Sequence, residues 1–137
     1  MSGFTDANMF VRHLTQDDPV RSPAATRYLR EVEDGLRTAW TTPVVVAEIV
    51  YVLTSSRTGY GLDRARVADA LEPLIMLGGL AIDHKEVFPS AFALFRAHNA
   101  DFVDCFHAAL VVSRGESDVY SFDRDFDKLP GIRRLEP

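Results

Sequence analysis

Two aspartates of this 137-residue sequence stand directly after predicted strands. Asp6 follows a short strand over residues 2–5, and Asp123 follows one over residues 119–122. Ligands of open α/β sheets bind beyond the carboxyl ends of the strands. We therefore expect both carboxylates to point into the crevice at that edge of the sheet.

Two further carboxylates interrupt apolar helical segments. Glu48 is the only polar residue between Pro43 and Tyr51, so the pattern predicts little solvent-facing surface around it. Burying a lone carboxylate costs several kcal/mol unless it is paired or binds a cation. Asp104 lies in a second apolar helix, three residues after Asp101 and hence on the same helix face.

These four acids come from four separate predicted elements, each at a strand end or on a helix packed beside one. A cluster of carboxylate oxygens without cysteine is the donor set that Mg²⁺ or Mn²⁺ prefers. The residues therefore predict a divalent-metal site made of Asp6, Glu48, Asp104 and Asp123.

Each acid also has an ordinary structural explanation. A carboxylate at the start of a helix caps it or interacts favourably with the helix dipole, and a buried one pairs with arginine. Asp125 is expected to face solvent. The helix-start explanation applies to Asp6, Asp101, Asp104 and Asp123, and pairing with a buried arginine applies to Glu48.

Composition leaves the binding partner open. The chain has 20 acidic and 15 basic residues and a net charge of -5. Setting four acids aside as metal ligands nearly balances the remainder, and most of the basic residues are arginine, which binds phosphate well. The single cysteine excludes a disulfide framework and indicates a reducing, cytoplasmic setting. We expect no membrane span and no signal peptide, because no apolar run approaches ~18 residues.

Short strands alternate with helices along the whole chain, a pattern typical of a mostly parallel α/β sheet with helices on both faces. We expect one domain over residues 1–137. The predicted helix starts are Ser22, Thr42 with Pro43, Asp63, and an Asp83-x-x-Glu86 capping box. The predicted strands cover 2–5, 37–41, 80–82, 119–122 and 132–135, and helices cover the segment up to 14, then 23–36, 44–53, 64–77, 84–98 and 101–114.

Four blocks of the sequence together resemble the PIN-domain ribonucleases, and more narrowly the VapC-type toxins of toxin–antitoxin pairs. The resemblance covers essentially the whole chain. The blocks are FTDANMFV at 4–11, VAEIVYVL at 46–53, DFVDCFHAA at 101–109 and YSFDRDF at 120–126.

This resemblance implies a three-layer α/β sandwich with a short, mostly parallel five-stranded sheet. It also implies endonucleolytic cleavage of RNA by water activated at Mg²⁺ or Mn²⁺, a small antitoxin partner and a homodimer. The acidic quartet of the family falls on Asp6, Glu48, Asp104 and Asp123. Glu48 is expected to be a ligand or to orient the attacking water.

Further residues are expected to assist this site. Asp101 and Asp125 match positions that are acidic in some family members, and Ser121 keeps a hydroxyl where many members have threonine. Asn8 is a further auxiliary candidate. Arg12 and Arg124 lie closest in sequence to the site acids and are the candidates for phosphate contacts, although a solvated surface explains each alone.

Three other functions fit the pattern less well. A receiver-like signalling domain needs an acidic pair after the first strand, where Asp6 is followed by Ala7. A phosphatase of the Asp-x-Asp type needs aspartate in place of Asn8. A PIN-fold module that binds RNA or protein with little turnover remains the main alternative, but such a module has no use for four carboxylates that repel phosphate.

Overall fold

All strand pairs in the described part of the chain, residues 2–137, are parallel, as the alternation of strands and helices predicts. In this computed structural model the chain divides into two units, Met1–Lys85 (unit 1) and Glu86–Pro137 (unit 2). The α/β class is confirmed. The strands form one sheet of three and one of two, whereas one sheet of five was expected. Sequence patterns locate strands but carry little information about which edges pair.

Unit 1 is built around the three-stranded sheet, whose order is β1-β2-β3. Along β2, exposed and buried residues alternate, so that Ala39 and Thr41 are buried. Its elements are β1 (Ser2–Phe4), α1 (Ala7–Thr15), α2 (Arg21–Glu33), β2 (Thr38–Thr41), α3 (Pro43–Thr54), α4 (Arg64–Ile75) and β3 (Leu80–Ile82).

Buried threonines hold the chain where it leaves β1. The Thr5 N–H donates to the Trp40 carbonyl at 2.8 Å, and the Thr41 hydroxyl donates to the Thr5 carbonyl at 2.8 Å. The Thr5 hydroxyl also lies 2.8 Å from the Tyr28 hydroxyl. Because these buried polar groups are paired, the backbone just before Asp6 is held firmly.

Two predicted helix caps of unit 1 are confirmed. The Thr42 side chain accepts a hydrogen bond from the Val45 N–H, and Pro43 occupies the first position of α3. Asp63 accepts from the Arg66 N–H at the start of α4. Both side chains satisfy a helix N–H group that has no partner within the helix.

The predicted cap at Ser22 is wrong, because α2 begins before that residue. The Asp18 carboxylate accepts from the N–H groups of Val20 and Arg21 at 2.9 and 2.7 Å. These two hydrogen bonds, that of Arg21 first, lower the pKa of Asp18. Ser22 is buried, and its hydroxyl accepts from the Asp18 N–H.

The predicted capping box at Asp83 and Glu86 is also wrong. His84 takes a left-handed backbone conformation, with φ of 59°. A 3₁₀ helix, Lys85–Val87, then precedes the α-helix, which starts at Phe88. Because the segment forms a turn before the α-helix begins, no α-helix starts between Asp83 and Glu86, and the two side chains have no helix start to cap.

Unit 2 consists of a helical hairpin and a two-stranded parallel sheet. Phenylalanine rings from both helices pack together in its core, with Phe88 5.0 Å from Phe106 and Phe92 5.0 Å from Phe102, measured between ring centroids. Its elements are α5 (Phe88–Ala97), α6 (Phe102–Ser113), β4 (Asp118–Tyr120), a second 3₁₀ helix (Arg124–Lys128) and β5 (Arg133–Leu135).

Within residues 2–137, helix lengths and hydropathy leave no candidate for a membrane-spanning helix.

Candidate functional site

Three aspartates of unit 2 bring their carboxylates together. Asp104 lies in the first turn of α6, Asp123 follows β4, and Asp125 lies in the second 3₁₀ helix. One carboxylate oxygen from each lies within 4.8 Å of the other two. Asp104 and Asp125 are half-buried, whereas Asp123 is exposed. We call these three residues the aspartate trio.

Local hydrogen bonds set the positions of Asp123 and Asp125. The Ser121 hydroxyl accepts from the Asp123 N–H at 3.0 Å. The Asp123 carboxylate in turn accepts from the Asp125 N–H at 2.9 Å and so caps the second 3₁₀ helix. Ser121 thus contacts a site acid, as an auxiliary residue would. Asp123 is both a member of the trio and the cap of the second 3₁₀ helix.

Burial and mutual repulsion raise the pKa of Asp104. Burial has the largest effect, followed by the negative charges of Asp123, Asp101 and Asp125, while His107 acts in the opposite direction. Close carboxylates disfavour one another's ionised form. A divalent cation bound among these oxygens would remove that repulsion.

The donor set of the trio fits Mg²⁺ or Mn²⁺, which prefer carboxylate oxygens. Three oxygens within 4.8 Å of one another are close enough to share one ion. Asp101 is exposed at the N-cap of α6, and its side chain makes no cap hydrogen bond. Its charge acts on Asp104, but Asp101 is not a member of the trio.

The two remaining acids of the predicted quartet belong to unit 1. Asp6 is exposed at the N-cap of α1, where its side chain makes no cap hydrogen bond, so the capping explanation does not hold for its carboxylate. A site that joins Asp6 and Glu48 with acids of unit 2 stays a prediction.

The predicted burial of Glu48 is wrong. Glu48 is exposed on α3, as are Val44 four residues before it and Tyr51 three residues after it. The apolar composition of α3 predicts burial on all sides, but this helix leaves a stripe of its surface in solvent. Among the described residues Glu48 has no hydrogen-bonded or ionic partner, so pairing with a buried arginine is not observed.

The two arginine candidates differ in their surroundings. Arg12 pairs with Asp17 at 3.2 Å and donates to the Tyr60 hydroxyl at 3.4 Å. Arg124 is exposed directly after Asp123 and has no partner in the part of the chain that the structure describes. Arg124 is therefore the more available group for a phosphate.

The other auxiliary candidate of unit 1, Asn8, is exposed in the first turn of α1.

Asp125 and Lys128 belong to this cluster more closely than the sequence pattern predicts. Asp125 was expected to face solvent with at most an auxiliary role, but it is half-buried and a full member of the trio. The Lys128 ammonium lies 2.9 Å from the Asp125 carboxylate. The Asp123-x-Asp125 spacing, followed by a lysine three residues later, is the signal that could have identified both.

The chain matches one protein-family model and is similar to a solved structure. A family model described as the PIN domain matches residues 4–132. The chain is also similar to a solved structure, the crystal structure of the Mycobacterium tuberculosis toxin VapC20, described as cleaving the sarcin–ricin loop. The identity is 17%, the match covers 98% of this chain and 99% of that chain, and the TM-score is 0.38. The comparison with curated proteins gives no match.

Proposed function

This chain belongs to the PIN domain family, and on that premise we propose that it is a divalent-metal-dependent endoribonuclease that cleaves RNA phosphodiester bonds. The observation that carries the proposal is the aspartate trio, in which three carboxylate oxygens lie within 4.8 Å of one another. Such a cluster repels phosphate unless a cation is bound. A role in metal-assisted chemistry accounts for its presence beside an exposed arginine.

The residues of the trio would hold Mg²⁺ or Mn²⁺. When bound there, the metal would supply a lowered pKa for water and positive charge for the oxygens of the scissile phosphate. Ser121 holds the backbone of Asp123 and the Asp125 N–H donates to its carboxylate, so this carboxylate is oriented before any ligand arrives. Arg124, exposed next to Asp123, contributes a guanidinium to the phosphate backbone of the RNA.

The proposed site includes the remaining acids of the predicted quartet. Asp6 serves as a further ligand, and Glu48 either binds the metal or orients the attacking water. The carboxylates of both are exposed and without partners among the described residues, so both are available for such a role. Substitution of either by its amide is expected to abolish cleavage while the fold persists.

We further propose that the protein is the toxin of a toxin–antitoxin pair, acts in the cytoplasm as a homodimer, and is held inactive by a small antitoxin protein. Purification from native cells should then yield a complex with a small second protein. Recovery of the chain alone would contradict the antitoxin, and sedimentation as a monomer across micromolar concentrations would contradict the dimer.

The test of the activity is cleavage of total cellular RNA by the purified protein with Mg²⁺ or Mn²⁺. EDTA and the variants Asp104→Asn and Asp125→Asn should each abolish cleavage. Asp118→Asn is the matched control, because Asp118 is an aspartate of the same unit that pairs with Arg133 at 2.9 Å, outside the trio. This variant should cleave like the wild type.

Discrete metal-dependent fragments would identify the substrate among ribosomal, transfer and messenger RNA. A folded protein that binds metal but cleaves none of these RNAs would instead favour a PIN-fold module that binds RNA or protein. Cleavage that persists in Asp104→Asn would refute the trio as the site.

A further inference from the structure

Lys128 joins the two segments of unit 2 that carry the aspartate trio. Its ammonium lies 2.9 Å from the Asp125 carboxylate and donates to the Asn99 carbonyl at 3.1 Å. Asp125 is on the second 3₁₀ helix with Lys128, whereas Asn99 lies just before α6, which carries Asp104. A single side chain therefore links both parts of the site.

Three other basic residues of unit 2 are engaged elsewhere. Arg114 pairs with Glu116, Arg133 pairs with Asp118, and Arg134 pairs with both Asp127 and Glu136, at distances of 2.9 to 3.2 Å. Across the described residues, Lys128 is the one basic side chain in an ion pair with a member of the trio. Its charge consequently offsets part of the repulsion within the trio.

We propose that Lys128 is a positioning residue that acts as a tethered counter-ion: it holds Asp125 in place in the metal-free protein and competes with the divalent metal for that carboxylate. The inference rests on the proposed metal site. It assigns to Lys128 an effect on the affinity of the site for a divalent metal.

The geometry allows Lys128 both to hold Asp125 and to compete with a divalent metal for its carboxylate. Asp125 and Lys128 are both partly exposed, with 42% and 46% of their side chains accessible, so the ion pair can open at small cost. The second contact, to the Asn99 carbonyl, keeps the ammonium close when the pair opens. A divalent ion at Asp125 then faces a nearby positive charge, and its affinity is lower than the trio alone would give.

The test measures Mn²⁺ binding by electron paramagnetic resonance in Lys128→Met, Lys128→Arg and the wild type. Lys128→Met should bind Mn²⁺ roughly fivefold more tightly, the scale of one unit charge facing a divalent ion through largely solvent-screened surroundings. Lys128→Arg keeps the charge and the donors and should bind like the wild type. Arg133→Met, which removes another partly exposed ion pair of unit 2, is the control and should also leave the affinity unchanged.

A second measurement separates the counter-ion role from a merely structural one. In EDTA, Lys128→Met should melt at a lower temperature than Arg133→Met, because the trio then lacks its counter-ion. Saturating Mn²⁺ should remove that difference, because the metal replaces the missing charge.

Equal or weaker Mn²⁺ binding by Lys128→Met would overturn the inference, as would a Lys128→Arg variant that behaves like Lys128→Met. These outcomes leave the proposed nuclease intact, since RNA cleavage is not needed to observe them. A wild-type protein that binds no Mn²⁺ would overturn the proposed metal site and this inference together.

Discussion

Replacing Asp104 by asparagine should have two effects: it should stabilise the metal-free protein, and it should abolish metal binding. The Asp104 carboxylate has two neighbours, Asp123 and Asp125, with oxygens within 4.8 Å. Two unit charges at that separation repel by about 0.9 kcal/mol in a water-like dielectric. Removing two such pairs gives a gain of about 1 to 2 kcal/mol, since Lys128 already offsets part of the charge on Asp125.

The gain should depend on pH in a defined direction. The pKa of Asp104 is raised, so the folded protein binds this proton more tightly than the unfolded chain does. The ionised carboxylate therefore opposes folding at neutral pH, and this effect disappears as the pH falls through the pKa of Asp104. The stability difference between variant and wild type should be largest near pH 7 and should vanish in acid.

Thermal unfolding in EDTA measures this difference, with roughly 3 to 5 °C expected per kcal/mol for a chain of this size. Adding metal at ten times its dissociation constant should stabilise the wild type by about 1.4 kcal/mol and leave Asp104→Asn unchanged. Asp118→Asn loses only an exposed ion pair and should be slightly less stable than the wild type. An Asp104→Asn variant that is less stable in EDTA would mean that the acid is structural, and the reasoning from charge repulsion would fail.

Three further predictions concern single hydrogen bonds. Tyr60→Phe should raise the pKa of Asp17 from about 2, because the Tyr60 hydroxyl donates to that carboxylate at 2.6 Å; a carboxyl-carbon NMR titration measures this, and an unchanged pKa would contradict it. The wild type should also lose stability as the pH falls from about 4 to about 2, and this loss should be smaller in the variant, because its folded-state pKa lies closer to that of the unfolded chain. Ser121→Ala should weaken Mn²⁺ binding about tenfold, because the Asp123 N–H loses its acceptor, while Ser121→Thr should keep the affinity. Thr42→Ala should lower the free energy of unfolding by about 1 kcal/mol, which urea denaturation measures, and no loss would show that the cap contributes nothing.

Helix starts could be predicted where one residue fits the cap and the neighbours offer no competitor. Thr42 and Asp63 cap their helices as expected, because the interaction involves a side chain and a backbone N–H three residues away. Ser22 fits the same rule but lies inside the first turn of α2, where the Asp18 carboxylate accepts from the N–H groups of Val20 and Arg21. The choice between two acceptable caps depends on where the chain enters the helix, which local composition does not specify.

The burial of Glu48 was the least accurate part of the site prediction. Burial of Glu48 requires that an apolar helix is covered on every side, and the exposure of Val44 and Tyr51 shows that α3 is not. Hydrophobic composition predicts that a helix packs, but the width of the covered face depends on the neighbours it meets. The identification of Glu48 with the proposed site therefore rests on the family pattern alone.

The aspartate trio itself depends mostly on contacts between near neighbours in the sequence. Ser121 holds Asp123, Asp123 caps the turn that contains Asp125, and Lys128 pairs with Asp125 three residues away. These relations fall within eight residues, so the local spacing of the side chains is enough to predict them. Only the approach of Asp104 on α6 is a long-range feature, and Lys128 contacts the Asn99 carbonyl just before that helix. Substitutions within residues 121–128 should therefore affect metal binding more than equally exposed substitutions elsewhere in unit 2.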